Sequence, residues 1–292
     1  MTIRGETPLN VIDAHIHCFD CEPFKALAIE AGAANTMVAL QEEMARAGVR
    51  LAIAMGNAGE DESAAVPLRT SWSLKRLTIP VVECLGIHED SINASTDSEV
   101  MARFDKAMLL PTTVGLKVYA GYRPIHVADK RYHPFYDLAR AHDMPVVIHT
   151  GETALPDALL KYAHPLTIDE LAVQFPDVRF VMAHAGNPWL IDAVEVARKN
   201  SNVYLELSGL FAGRFDANVM AKEEKAYLDY IRMWTKYLGR YDKILYGSDW
   251  PLVNQGDYQE LMATVIPSTH HQAFFYDNAR AVFPKVKAML NE

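Results

Sequence analysis

Eight short apolar runs recur along the chain, each giving way to polar residues: Val11–His17, Leu51–Met55, Val81–His88, Val114–Tyr119, Pro145–Thr150, Arg179–His184, Val203–Ser208 and Lys243–Asp249. Runs that are apolar almost throughout, rather than alternating, are the signature of strands buried on both faces, as in a parallel sheet. Segments of helical period lie between them. Thr36–Ala47 places Met37, Leu40, Met44 and Ala47 on one face and is followed by Gly48 as a stop. His133–His142 has a proline in its first turn and carries Phe135, Leu138 and Ala139 together. Pro188–Lys199 is expected to open behind Asn187 as N-cap, with proline next. Ala221–Tyr237, Tyr276–Phe283 and Lys285–Leu290 complete the helical pattern.

Eight strands alternating with helices within 292 residues predict the α/β class and a single (β/α)8 TIM barrel, with residues 1–292 as one domain. The competing architecture is an open doubly wound sheet. That fold would be expected to carry a glycine-rich phosphate loop after an early strand, and neither G-x-G-x-x-G nor G-x-x-x-x-G-K-[ST] occurs here.

Composition narrows the function classes. Hydrophobic residues make up 50% and charged residues 22%, as in ordinary globular proteins. With 28 Lys+Arg against 37 Asp+Glu the net charge is −9, which disfavours general binding to nucleic acid or to an anionic membrane. The three cysteines, Cys18, Cys21 and Cys84, are too few and odd in number for a disulfide framework. No stretch reaches the ~18 apolar residues of a membrane span, and the N-terminus lacks the apolar core of a signal peptide. A cytoplasmic protein acting on a small molecule is the expectation.

The polar ends of the runs carry the chemistry. In Asp13-Ala14-His15-Ile16-His17, residues two apart share a face, so His15 and His17 project together. Two neutral imidazoles side by side suit a borderline-soft divalent cation; two surface histidines near a loop are the alternative. Lys117 lies in the fourth run, His149 ends the fifth, His184 the sixth and Asp249 the eighth. An ionisable group at the end of an apolar strand costs several kcal/mol unless paired or coordinated. Six such residues from five strands, at the end where barrels place their sites, form one joint signal.

The motifs Asp-Ala-His-Ile-His, Gly-Leu-Lys-Val-Tyr, Val-Ile-His-Thr-Gly, Ala-His-Ala-Gly-Asn-Pro and Tyr-Gly-Ser-Asp-Trp-Pro, in this order from Val11 to about Pro251, resemble the amidohydrolase superfamily, in particular its amidohydrolase-2 branch. The resemblance implies that His15, His17, His149 and Asp249 bind a buried divalent metal, Zn²⁺ being the first expectation. In two-metal members a carboxylated lysine bridges the ions and a sixth-strand histidine joins the second; Lys117 and His184 occupy those places. In one-metal members the sixth-strand histidine positions or activates water. The implied activity is hydrolysis of an amide, ester or lactone by a water activated on the metal. Asp249 and His184 are then the catalytic groups, Asp249 taking the proton. The branch also contains nonoxidative decarboxylases of aromatic or dienoic acids, which is the alternative reaction; a metal-binding barrel without catalysis is a third. Homodimers are common in the family. Histidine and carboxylate ligands also suit Mn²⁺, Fe²⁺ and Co²⁺.

Other residues carry weaker expectations. Cys18-Phe-Asp-Cys21 lacks a second pair for zinc and reads as packing. His88 faces the site or a loop. Tyr119, Tyr122 and Arg123 follow the fourth strand, where an arginine can bind a carboxylate. Glu152, Trp189, Ser208 and Trp250 are expected near the pocket, and Asn187 at its helix cap. His126, His142, His164, His270 and His271 fall away from strand ends.

Overall fold

The computed structural model describes residues 9–57, 65–74 and 77–290. The apolar runs are strands of one parallel sheet in chain order: β1 (Val11–Ile16), β2 (Val49–Met55), β3 (Val81–Gly86), β4 (Thr113–Val118), β5 (Val146–His149), β6 (Phe180–Ala183), β7 (Val203–Glu206) and β8 (Ile244–Leu245). After β8 the chain turns back along β1. Ala14 N donates to the Tyr246 carbonyl at 3.0 Å, His17 N to that of Trp250 at 2.7 Å, and Asp249 N to that of His15 at 2.8 Å. The sheet thus forms a nearly closed barrel with helices between the strands, the architecture the runs predict.

Two apolar layers hold it. Outside, strand residues such as Leu85, Leu116, Ile148 and Met182 pack on the helices. Inside, Ile12, Ala14, Ile53, Val82, Val114, Val147, Val181 and Leu245 meet, and Tyr276, Val282, Phe283 and Val286 of the C-terminal segment pack against them. The interior is a packed core, which leaves the other end for polar side chains. Strict alternation from Ile12 and Ala14 would turn His15 outward. A register irregularity between Asp13 and Ile16 moves Ile16 to the outer layer and His15 inward. On β4, Val114 is interior but Leu116 is exterior, and a register shift opposite Glu83/Cys84 separates them; Lys117 consequently points in.

Helix boundaries mostly follow local signals. Met37–Ala47 begins behind Thr36, whose hydroxyl accepts from Ala39 N, and ends at Gly48 in the left-handed region (φ 69°). The structure adds helices Glu22–Glu30, Ser98–Met108, Leu166–Gln174 and Gln255–Val265. The segment expected as one helix over Ala221–Tyr237 is two, Ala217–Glu223 and Lys225–Leu238, because Glu224 leaves helical geometry at ψ 23°. The 276–283 segment is a π turn, Ala273–Asp277, running into Asn278–Val282. Asn187 does not cap a helix: Leu190–Lys199 starts behind Trp189 without a side-chain cap, and the Asn187 Oδ1 accepts from Tyr227 Oη at 2.7 Å. Among the described residues no helix is long and apolar enough to cross a membrane.

Candidate metal centre

His15, His17 and Asp249 are buried together, each offering one ligand atom within 4.8 Å of the others. His15 Nε2 lies 3.6 Å and His17 Nε2 3.1 Å from Asp249 Oδ1. His184 bridges to the rest: its ring is 5.0 Å from that of His15 and 4.8 Å from that of His149. Lys117, 1% exposed, has its Nζ 5.2 Å from the Tyr119 ring centre, inside the same mouth. His15 Nε2, His17 Nδ1 and Asp249 Oδ1 are buried without a hydrogen-bond partner. Orphaned donors and acceptors of this kind are rare in folded proteins, and two imidazoles with a carboxylate are the donor set of a borderline divalent cation. The cluster could hold one.

Three of the four histidines are fixed through a second nitrogen, His17 being the exception. His15 Nδ1 sits 2.7 Å from Glu206 Oε2. His149 Nε2 donates to the Glu152 carbonyl at 2.8 Å, which leaves its Nδ1 free of a proton. His184 Nδ1 faces the Ser208 carbonyl at 3.2 Å and its hydroxyl at 3.0 Å, leaving Nε2 as the acceptor. The backbone is bent to achieve this: His184 (φ 63°) and Asp249 (φ 68°) both occupy the left-handed region, uncommon for residues other than glycine and clustered at functional sites. Gly209 makes the approach possible, since a Cβ there would lie 2.6 Å from Asp249 Oδ2 and 2.8 Å from His184 Nδ1.

Burial dominates the electrostatics. It pushes His15 and His149 well below their ordinary value and His184 down to about 4, so the imidazoles are neutral at pH 7. Burial alone would raise Asp249, but the imidazoles of His184, His17 and His15 outweigh it and hold the carboxyl well below the usual range. Neutral imidazole beside ionised carboxylate is the protonation state a cation requires of its ligands. Burial lowers Lys117 to about 8 against the pull of Glu206 and Asp249.

The sequence model of the amidohydrolase family, the amidohydrolase-2 group, matches residues 90–285. The chain belongs to the amidohydrolase-2 family. No curated protein matches it. Among solved structures it resembles an uncharacterised TIM-barrel protein of Bordetella bronchiseptica (TM-score 0.70, 20% identity, 95% of this chain and 99% of that one). It also resembles the amidohydrolase 2 of Bifidobacterium longum subsp. infantis (0.56, 16%, 94% and 99%) and the 5-carboxyvanillate decarboxylase of Sphingomonas paucimobilis (0.60, 11%, 94% and 98%). These likenesses show the shared barrel.

In this amidohydrolase-2 barrel the remaining expectations sort by position. A cavity of about 350 Å³ opens beside the cluster, with Asn57, His88, Tyr119, Tyr122 and Arg123 on its wall. The Tyr122 ring packs edge-on against His149 at 5.1 Å, joining cavity to cluster. Arg123 is not a free cation, since its Nε pairs with Glu89 at 3.1 Å. His88 caps the short helix Glu89–Asn93, its Nδ1 accepting from Asp90 N. Trp250 is fully buried against Trp72 and belongs to the core. Trp189 packs on His164. Cys18 and Cys84 are buried, Cys21 is partly so, and all three are free. Glu206 is the functional-site residue that the strand-end reading passes over. Its signal is there: it is the one charged side chain within Val203–Ser208, between Leu205 and Leu207, where alternation sends it inward.

Proposed function

We propose that the chain is a metal-dependent hydrolase that cleaves an amide, ester or lactone bond of a small molecule. The observation that carries this reading is the pair of buried, unpartnered atoms His15 Nε2 and Asp249 Oδ1, 3.6 Å apart, in a family that is metal-dependent. His15, His17, His149 and Asp249 would hold a divalent cation, zinc first among those the donors suit. When bound, such a cation acts as a Lewis acid and brings the pKa of a water it binds to about 7.

The chain supplies the rest. Asp249 Oδ2, 3.8 Å from His184 Nδ1, is placed to accept the proton of the attacking water and return it to the leaving atom. His184, held at Ser208, orients that water through Nε2. The cavity beside Tyr122 would seat the substrate, in the size range of small-molecule sites. If a second cation is held, Lys117 carries it as a carbamate. Burial favours the neutral amine that reacts with CO₂, and His184 then becomes a ligand.

Protein purified without chelator should carry about one divalent ion per chain, or two with Lys117 carboxylated; less than ~0.3 per chain after growth in supplemented medium speaks against the reading. The metal-loaded protein is then assayed on lactones, esters, amides and aromatic acids. A structural relative is a 5-carboxyvanillate decarboxylase, so release of CO₂ from an aromatic acid, with no hydrolysis of any ester, lactone or amide, would move the assignment to decarboxylation.

A further inference from the structure

We infer that Glu206 is a positioning residue that fixes the tautomer of His15, holding the proton on Nδ1 and presenting an unprotonated Nε2 to the cation. Three observations meet. Glu206 Oε2 lies 2.7 Å from His15 Nδ1, a contact between β7 and β1 across 191 residues of chain, with side chains 1% and 0% exposed. As a carboxylate Glu206 only accepts, so above the value of about 7 to which burial raises its carboxyl the hydrogen of this bond belongs to Nδ1. The opposite nitrogen, His15 Nε2, is buried without a partner and faces Asp249 Oδ1. The barrel also keeps room for this contact: a Cβ on Gly247 would come within 2.8 Å of both Glu206 Oε1 and His15 Cβ. A buried carboxylate of this kind serves a purpose beyond packing, because an apolar side chain of the same size would fill the space without the cost of desolvating a charge.

The position is specific to His15. His149 and His184 are oriented by the Glu152 carbonyl and by Ser208, so Glu206 alone among the described groups brings a carboxylate to the outer nitrogen of a first-strand histidine. A carboxylate there also makes the imidazole a stronger donor toward a cation.

The inference rests on the metal reading above for its consequence, but its test separates the two. In metal-free protein at about pH 8.5, where Glu206 is ionised, ¹⁵N-resolved NMR of the imidazoles should show His15 as the Nδ1–H tautomer, with a downfield Nδ1 proton. In Glu206→Leu that signature should vanish while those of His149 and His184 persist. Glu206→Gln, whose amide oxygen still accepts, should retain the tautomer but shift the proton upfield. His15 found as the Nε2–H form in the parent, or unchanged in Glu206→Leu, overturns the inference. Chelator competition with Zn²⁺ gives the second arm. Affinity should fall roughly 10–100-fold in Glu206→Leu and less in Glu206→Gln, the range for losing an outer partner of a ligand. Equal affinity in all three proteins also overturns it. A parent that binds no Zn²⁺ defeats the metal reading, and the NMR result then decides the role of Glu206 by itself.

Discussion

Asp249 is the residue at which geometry and chemistry are most tightly joined. Its left-handed backbone, φ 68°, is tolerated by Asp and Asn far better than by most side chains, so Asp249→Asn should fold like the parent. One amide oxygen remains as a ligand, and cation occupancy should fall only in part. The base is lost, and kcat should drop by about 10²–10⁴-fold, the usual weight of general acid–base catalysis. Turnover within a few-fold of the parent at matched metal content would place the base elsewhere. At this scale the sequence was readable at most ionisable residues near the ends of apolar runs: His15, His17, His149, His184 and Asp249 converge in the structure and Lys117 faces the same mouth, whereas His88, which closes the third run, caps a helix. Glu206 lies one step inside its run, where a charge reads as an interruption, and its partner is 191 residues away. Gly209 and Gly247 carry no chemistry of their own, and only the packed barrel shows what their missing Cβ atoms make room for.

Among the elements, strands were more legible than helices. A strand buried on both faces announces itself by apolar continuity. A barrel helix buries one stripe, and in Glu22–Glu30 only Ala28 is buried, too little to impose a period. What no run reveals is a register irregularity, yet those on β1 and β4 decide that His15 and Lys117 point in. Short turns matter in the same way at the cavity. Asp129 opens the turn Lys130–Tyr132, accepting from Arg131 N at 3.0 Å and gripping its guanidinium at 2.9 and 2.8 Å. Tyr132, in that turn, forms part of the cavity wall. These bonds to Arg131 hold the Asp129 carboxyl down to about 2, from an ordinary 3.8. A depressed carboxyl contributes stability that is present above its unfolded value and lost as pH falls through its folded value. Asp129→Asn should therefore cost stability above pH ~4 and nothing below pH ~2, by about 0.5–1 kcal/mol once solvent screening is allowed for. Denaturant melts of both proteins across that window check it. A gap that widens as pH falls would contradict the assignment.

Across the whole molecule, the seam between the first and last strands is where the barrel is thinnest. β8 pairs with β7 through only two residue pairs, Leu205↔Ile244 and Glu206↔Leu245, and the chain just beyond β8 meets β1 through backbone bonds from Ala14, His17 and Asp249 and through the Asp13 carboxyl, which accepts from Ser248 N and Gln255 Nε2 at 2.9 Å each. Three of the four proposed ligands straddle this seam, His15 and His17 on one side and Asp249 on the other. A cation held by all three ties the ends of the sheet together, so binding energy becomes closure energy. At a hundredfold excess of cation over Kd the gain is about 2.7 kcal/mol, which for a chain of 292 residues corresponds to a rise in Tm of about 4 °C. Removing metal with chelator should lower Tm by that order and restoring Zn²⁺ should recover it. Hydrogen exchange should locate the effect. The amides of Ala14, His17 and Asp249 should exchange faster in the stripped protein, whereas those of β3, which carries no proposed ligand and lies away from the seam, should change little. A Tm indifferent to Zn²⁺, together with unchanged exchange at the seam, would mean that no cation is held across it, and His15, His17 and Asp249 would then have to be explained as a buried polar cluster that closes the barrel on its own.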